Sequence, residues 1–256
     1  MEVSESEAAR PVMLITGGGR GIGAATAVMA SARGFDVVIN YVTDERAAEV
    51  TSAACRTLGA RTLVVRGDVA DEADVIELFR LSVDQLGPLA AVVNNAGILH
   101  RASRLDEFDV DRLRSVVAVN VIGAILVARE AVRHLSTRHG GSGGTIVNVS
   151  SAASYLGSPN EYIDYAATKG AIDSMTIGLA KEVAMEGIRV NAVRPGLIYT
   201  DIHESSGIED RVDRLAPGVP MQRGGQPSEV AEAILWLASP ASSFVTGTFV
   251  DVTGGR

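Results

Sequence analysis

A chain of 256 residues, 46% of them hydrophobic, is long enough for one α/β domain with a sizeable core. A formal net charge of −8 and a pI near 5.1 leave no basic footprint for nucleic acid or an anionic membrane surface. The single cysteine, Cys55, cannot form an internal disulfide and is expected as a small buried apolar residue, while His100, His134, His139 and His203 fall at no metal-ligand spacing, so no metal is expected.

Residues 1–11 begin acidic and polar, without the basic start and apolar stretch of a secretory signal. They predict a flexible tail, and residues 12–256 a single domain. No apolar run is expected to approach the ~20 residues that span a bilayer, so the reading is of a cytoplasmic protein. Val12–Thr16 predicts a strand, Gly21–Arg33 a helix, Phe35–Tyr41 a strand and Glu45–Leu58 a helix. Arg61–Arg66 predicts a strand, Asp71–Leu86 a helix, residues 89–95 a strand and Asp106–Arg138 a long helix. Gly144–Ser150 then predicts a strand, Tyr162–Met185 a helix, Ile188–Val193 a strand, Ser228–Ala238 a helix and Thr248–Val252 a last strand. Between Pro195 and Gln226 neither period is clear, and a loop that long in a compact domain is usually functional. Strand–helix alternation with runs as apolar as VVIN and TIVNV implies a single Rossmann-like, doubly wound domain. Its core is a parallel sheet of about seven strands with helices on both faces.

Ligands of open parallel sheets bind beyond the carboxyl ends of the strands. The chemically suggestive residues fall at those ends: TGGGRGIG at 16–23, Asn40–Tyr41, Gly67–Asp68–Val69, NNAG at 94–97, Ser150–Ser151 and Pro195–Gly196. In TGGGRGIG, with Gly17, Gly19, Arg20, Gly21, Ile22 and Gly23, glycines permit a tight turn and close approach of a pyrophosphate to a helix N-terminus. An acid at the end of the second strand would bind the ribose hydroxyls of NAD and repel a 2′-phosphate. Here Asn40 and Tyr41 stand there, with no acid before Asp44, and Arg20 offers a phosphate partner. NADP is the expected cofactor, with NAD possible.

Only two of the 23 basic residues are lysines, Lys169 and Lys181. Lys169 lies four residues after Tyr165, on the same helix face. Chance would give about 0.04 such pairs, the motif's false-positive risk apart. A phenol is too weak an acid to serve as a base at neutral pH, and a nearby ammonium would lower its pKa. Tyr165 is therefore a candidate general acid/base and Lys169 its tuner. Lys181, between acidic neighbours, reads as an ordinary surface residue.

With these motifs in order, the sequence from Val12 to Gly255 resembles the short-chain dehydrogenase/reductase family, in its subtype of about 250 residues. TGGGRGIG is similar to the family's T-G-x3-G-x-G cofactor loop, and YAATK to its Y-x3-K pair. The resemblance implies that Asp68 and Val69 contact adenine, and that Asn95, Ala96 and Gly97 lie beside the cofactor. It implies that Pro195, Gly196, Ile198 and Thr200 follow the nicotinamide and its phosphates. Asn120 matches a catalytic asparagine at a helix kink. SSAASYLG resembles S-S-x-x-G-x-x-G, which makes Ser151 the catalytic serine, with Ser150 as the alternative. Ser151 stands 14 residues before Tyr165 where the family has 13, implying one extra residue within Ser158–Asp164.

The combined reading is reversible hydride transfer between a nicotinamide and a small carbonyl or alcohol. Rival readings are a dinucleotide-sensing protein and an epimerase or dehydratase on the same fold. The two long helices carry small and apolar residues on more than one face, and the resemblance implies a homotetramer, with a dimer as the alternative. Ser154, Tyr155, Asn160, Tyr162, Ile198 and His203 are candidate pocket residues.

Overall fold

Short runs of Val, Ile and Leu become strands because both of their faces are covered. In the computed structural model, which describes residues 10–200 and 210–256, Val12–Ile15 (β1) buries all four side chains. It is followed by Gly21–Ala32 (α1), Asp36–Tyr41 (β2), Glu45–Thr57 (α2), Thr62–Arg66 (β3), Glu72–Leu86 (α3) and Leu89–Asn94 (β4). The second half runs through Val110–Val117 (α4), Ala124–Leu135 (α5), Gly144–Val149 (β5), Ala153–Leu156 (α6) and Ile163–Val183 (α7). Ile188–Pro195 (β6), Arg211–Leu215 (α8), Pro227–Ala238 (α9) and Phe249–Val252 (β7) complete it. The strands form one parallel seven-stranded sheet in the order β3-β2-β1-β4-β5-β6-β7. The chain reverses its winding between β1 and β4, which opens the crevice where such sheets bind ligands.

Alternate strand residues divide the core in two. Met13, Ile15, Val37, Ile39, Val93 and Val147 pack with α1, α2 and α9, and Cys55 lies fully buried among them. Leu14, Val38, Val92, Ile146 and Val190 pack on the other face with Phe79 of α3, Val127 and Leu135 of α5 and Val183 of α7. Asp44, Asp71 and Asp109 start α2, α3 and α4 by accepting hydrogen bonds from first-turn N–H groups.

Four departures from the sequence reading have local causes. The helix expected over Asp106–Arg138 runs from Val110 to Leu135 and contains a wide π-turn at Ala118–Gly123. At Gly123 a Cβ would sit 2.8 Å from Val69 Cγ2 and 2.9 Å from Val69 O, so glycine lets this turn press on the segment that follows β3. The same run, with no charge between Ser115 and Arg129, is long and apolar enough to span a bilayer by length and composition, contrary to expectation. Its Val116, Val127, Ala131 and Leu135 are buried against the protein's own core. Third, the stretch Pro195–Gln226 contains α8, and Ile198 bridges to Gly225. Lastly, Arg10 and Pro11, assigned to the tail, are packed: Arg10 Nη2 donates to Ser31 O and Phe35 O, and Pro11 O accepts from Asp36 N. Residues 1–9 of the expected tail, and His203, lie outside the described residues.

Candidate active site

The glycine loop is held from below by the end of β4. Thr16 Oγ1 accepts from Asn95 N and Ala96 N, both at 3.0 Å. Asn95 Nδ2 donates to Thr16 O at 2.8 Å and Gly17 O at 3.1 Å. Gly17 and Gly21 adopt φ of +61° and +52°, a region glycine enters without steric cost. No side chain caps α1 at Arg20, so its first-turn N–H groups are left for another partner. Above the loop lies a groove of about 600 Å³ lined by Gly17, Gly19, Arg20, Gly21 and Ile22. The expected contacts Tyr41, Asp68, Val69, Ala96, Gly97 and Thr200 also border it. Asn40 borders it too, but its side chain is committed inward. It is 1% exposed, its Nδ2 donates to Gly67 O at 2.8 Å and its Oδ1 accepts from Gly17 N at 3.3 Å. Asn40 thus ties three strand ends together. A glycine cradle and uncapped helix amides fit a dinucleotide diphosphate, and the exposed Arg20 is free to meet a further phosphate.

A second cavity of about 510 Å³ adjoins the groove, and Ile22, Asn95, Gly97, Leu99 and Thr200 border both. Ser151, Tyr165, Lys169, Pro195, Gly196 and Ile198 line it. Asn120 lies beneath rather than on its wall: it is 1% exposed, its Oδ1 accepts from Ile98 N at 2.8 Å and its Nδ2 donates to Ile98 O at 3.0 Å. The π-turn carries it there. A Cβ on Gly97 would stand 3.4 Å from Asn120 Oδ1 and 3.6 Å from Lys169 Nζ, so backbone, amide and ammonium converge at this point. The two serines separate by environment. Ser150 is buried, donating to Asp173 Oδ1 at 2.6 Å and to Lys169 O at 3.2 Å. Ser151 is half-buried and its hydroxyl accepts from Ala153 N at 3.1 Å.

Lys169 Nζ donates to Val149 O at 2.8 Å and stands 5.4 Å from the Tyr165 ring centre. The lowered tyrosine pKa expected from this pair is not found. Burial pushes Tyr165 up to about 12, opposed by a hydrogen bond with Ser151 and the charge of Arg211. Burial also pushes Lys169 down to about 8, opposed by Asp173. The physical reason is shared desolvation, which penalises the charged form of both groups. Below pH 8 Lys169 is protonated folded or unfolded; between about 8 and its ordinary 10.5 the unfolded chain holds the extra proton. The parent should therefore gain about 3 kcal/mol of stability relative to Lys169→Met as pH rises through that window. Denaturant unfolding at pH 7 and 10.5 checks this, and parallel stability curves would contradict it.

Of the other pocket candidates, Tyr162 and Ile198 line the cavity. Tyr155 is exposed and donates to Arg256 O at 3.2 Å. Sequence reasoning missed Glu161 and Arg211, which also line the cavity and pair at 2.5 Å from 50 positions apart, leaving no local signal.

A family model described as enoyl-(acyl carrier protein) reductase matches residues 17–256. Uncharacterized oxidoreductase YgfF of Escherichia coli (strain K12) is 49% identical over 245 residues, 96% of this chain and 99% of that protein. The 3-ketoacyl-(acyl-carrier-protein) reductase from Brucella melitensis, solved in complex with NADH, is 33% identical with a TM-score of 0.88, the match covering 96% of this chain and 98% of that one. A short chain dehydrogenase from Burkholderia cenocepacia J2315, solved in complex with NADP, is also 33% identical with a TM-score of 0.88, covering 96% and 97%.

Proposed function

The chain belongs to the short-chain dehydrogenase/reductase family and is an NAD(P)-dependent oxidoreductase; from that premise we propose that it interconverts a small carbonyl compound and its secondary alcohol, with NADP(H) preferred. The observation that carries the reading is the convergence of Ser151, Tyr165 and Lys169 on the wall of a cavity continuous with the glycine-loop groove. Bound in that groove, the nicotinamide would supply or accept the hydride.

The chain's own residues then divide the remaining work. Ser151 holds the substrate oxygen by a hydrogen bond and stabilises charge developing there. Tyr165, its proton secured by burial, donates that proton to the oxygen in reduction and takes it back in oxidation. Lys169 fixes the ribose and lends its charge to the proton's path. Asn120, anchored on both hydrogen-bonding groups of Ile98, positions the loop beside Gly97 and organises the proton relay. Asp68 and Val69 take the adenine end, and Pro195, Gly196 and Thr200 the nicotinamide end.

Preference for NADP rests on Arg20, exposed on the groove, and on an uncharged Asn40–Tyr41 strand end. Arg20→Ala should weaken NADPH binding about 10–100-fold, the worth of one charged hydrogen-bonded contact, while NADH binding stays within about twofold. Fluorescence titration with both dinucleotides checks it; equal losses for both would remove the preference. The same reading takes the protein as a cytoplasmic homotetramer. Its support is the exposed apolar Val117, Ile122 and Ile125 of the long helical run and Ile177 of α7.

A further inference from the structure

The loop between α6 and α7 is backbone-strained where it meets the cavity. Ser158 and Asn160 adopt φ of 43° and 63°, in the left-handed region that non-glycine residues rarely hold and that marks sites under functional constraint. This loop sets Glu161 and Tyr162 into the cavity wall. Tyr162 is 3% exposed, and its hydroxyl has no hydrogen-bond partner among the described residues. Arg211, the first residue of α8, lines the same cavity and is 8% exposed. Its Nη2 donates to Glu161 Oε2 at 2.5 Å, but its Nε is buried without a partner among the described residues. The guanidinium carbon stands 5.3 Å from the Tyr162 ring centre, so the two side chains that carry the unmet donors are in contact.

Buried donors are almost always satisfied, and a pair left open on one cavity wall points to an acceptor that arrives with the ligand. A ketone or hydroxyl offers one oxygen. A carboxylate offers two and meets the guanidinium with charge as well as geometry. Among the described residues, the charged side chains on the cavity are three cations, Lys169, Arg211 and Arg256, and one acid, Glu161, although the whole chain carries a net charge of −8. Much of the remaining wall is apolar, with Leu99, Leu156, Leu197 and Leu215.

We infer that Arg211 and Tyr162 form an anchoring subsite for a carboxylate, so that the substrate is an apolar hydroxy acid, or the matching keto acid, whose carboxylate lies apart from the reacting carbon. The inference rests on the hydride-transfer reading above. In the oxidative direction the carbinol C–H bond breaks with its electron pair passing as hydride to the oxidised dinucleotide. The hydroxyl proton goes to Tyr165, the C=O bond forms, and the anchored carboxylate is unchanged. Glu161 takes the Nη2 corner of the Arg211 guanidinium, and the neighbouring Nε is the donor left for the substrate.

Binding and turnover separate the two claims. Calorimetric titration of the protein with dinucleotide present should show cyclohexanecarboxylate binding at least about 10-fold tighter than cyclohexanecarboxamide. Arg211→Gln should abolish that difference, and Tyr162→Phe should reduce it several-fold. A carboxylate that binds no better than the amide, or a preference untouched by Arg211→Gln, would overturn the subsite. Oxo-acids of five to eight carbons and their methyl esters then serve as substrates. Arg211→Gln should lower kcat/KM about 10–100-fold for the acids, through KM, and leave the esters within about threefold. Equal losses for acids and esters would show a merely structural arginine and contradict the proposal. Carboxylate binding without turnover of acid or ester would contradict the hydride-transfer reading and leave the subsite standing.

Discussion

Tyr165→Phe should lower turnover by about 10²–10⁴-fold, the usual worth of a positioned general acid, while dinucleotide affinity stays within about twofold. The substitution removes one hydroxyl from a half-buried ring and leaves the glycine-loop groove untouched, because Tyr165 lines only the substrate cavity. Burial holds the Tyr165 proton up to about pH 12, so the acid form needed for reduction persists through the alkaline range. Oxidation needs the base form and should accelerate as pH rises toward that value. Steady-state kinetics in both directions check this. A variant that keeps a tenth or more of parental turnover would remove Tyr165 from the chemistry.

Gly23→Ala should weaken dinucleotide binding at least about 100-fold and destabilise the fold by about 1–3 kcal/mol, the cost of forcing a methyl into filled space. The added Cβ would lie 2.4 Å from Gly17 O, 2.8 Å from Asn95 Nδ2 and 3.0 Å from Gly18 Cα. Two of these atoms are backbone, and the third ends a side chain held by two hydrogen bonds. Asn95 Nδ2 is the donor that secures Thr16 O and Gly17 O, so relieving the clash loosens the loop from β4. Fluorescence titration with NADPH and a thermal melt read the two effects. Binding within about threefold of the parent would show that the loop does not cradle the dinucleotide.

What was legible in the sequence was local or periodic. Strands covered on both faces carry unbroken apolar runs, VMLI in β1, VVI in β2, LAAVV in β4 and TIV in β5, so these were evident before any tertiary contact was known, whereas β6 is broken by Arg189, Asn191 and Arg194. The Tyr165–Lys169 spacing and the glycine loop each fit within one element or one turn. Burial was not legible in the same way. The i,i+4 spacing places Lys169 beside Tyr165 but does not tell that the fold desolvates both, which reverses the expected shift of the tyrosine. Asn40 sits where a cofactor contact belongs, yet its amide is spent on Gly67 and Gly17, residues remote in sequence. The short helices α6 and α8 have too few residues to show a period, and the Glu161–Arg211 pair is a purely tertiary product. The apolar run Val110–Leu135 is uninterrupted at its centre because the sheet and α3 cover one face of it while another remains exposed.

The central claim is that this cavity passes hydride between a nicotinamide and a carbonyl carbon with Tyr165 managing the proton. The most direct test uses NADPH and NADH deuterated at the nicotinamide transfer position. They are incubated with ketones, β-keto esters, diketones and oxo-acids, and the products are analysed by mass spectrometry. The account predicts deuterium on the carbinol carbon of at least one product, more from NADPH than from NADH, and at least about 100-fold slower transfer with Tyr165→Phe. Saturable dinucleotide binding without label transfer to any acceptor, or label transfer undiminished in Tyr165→Phe, would contradict it.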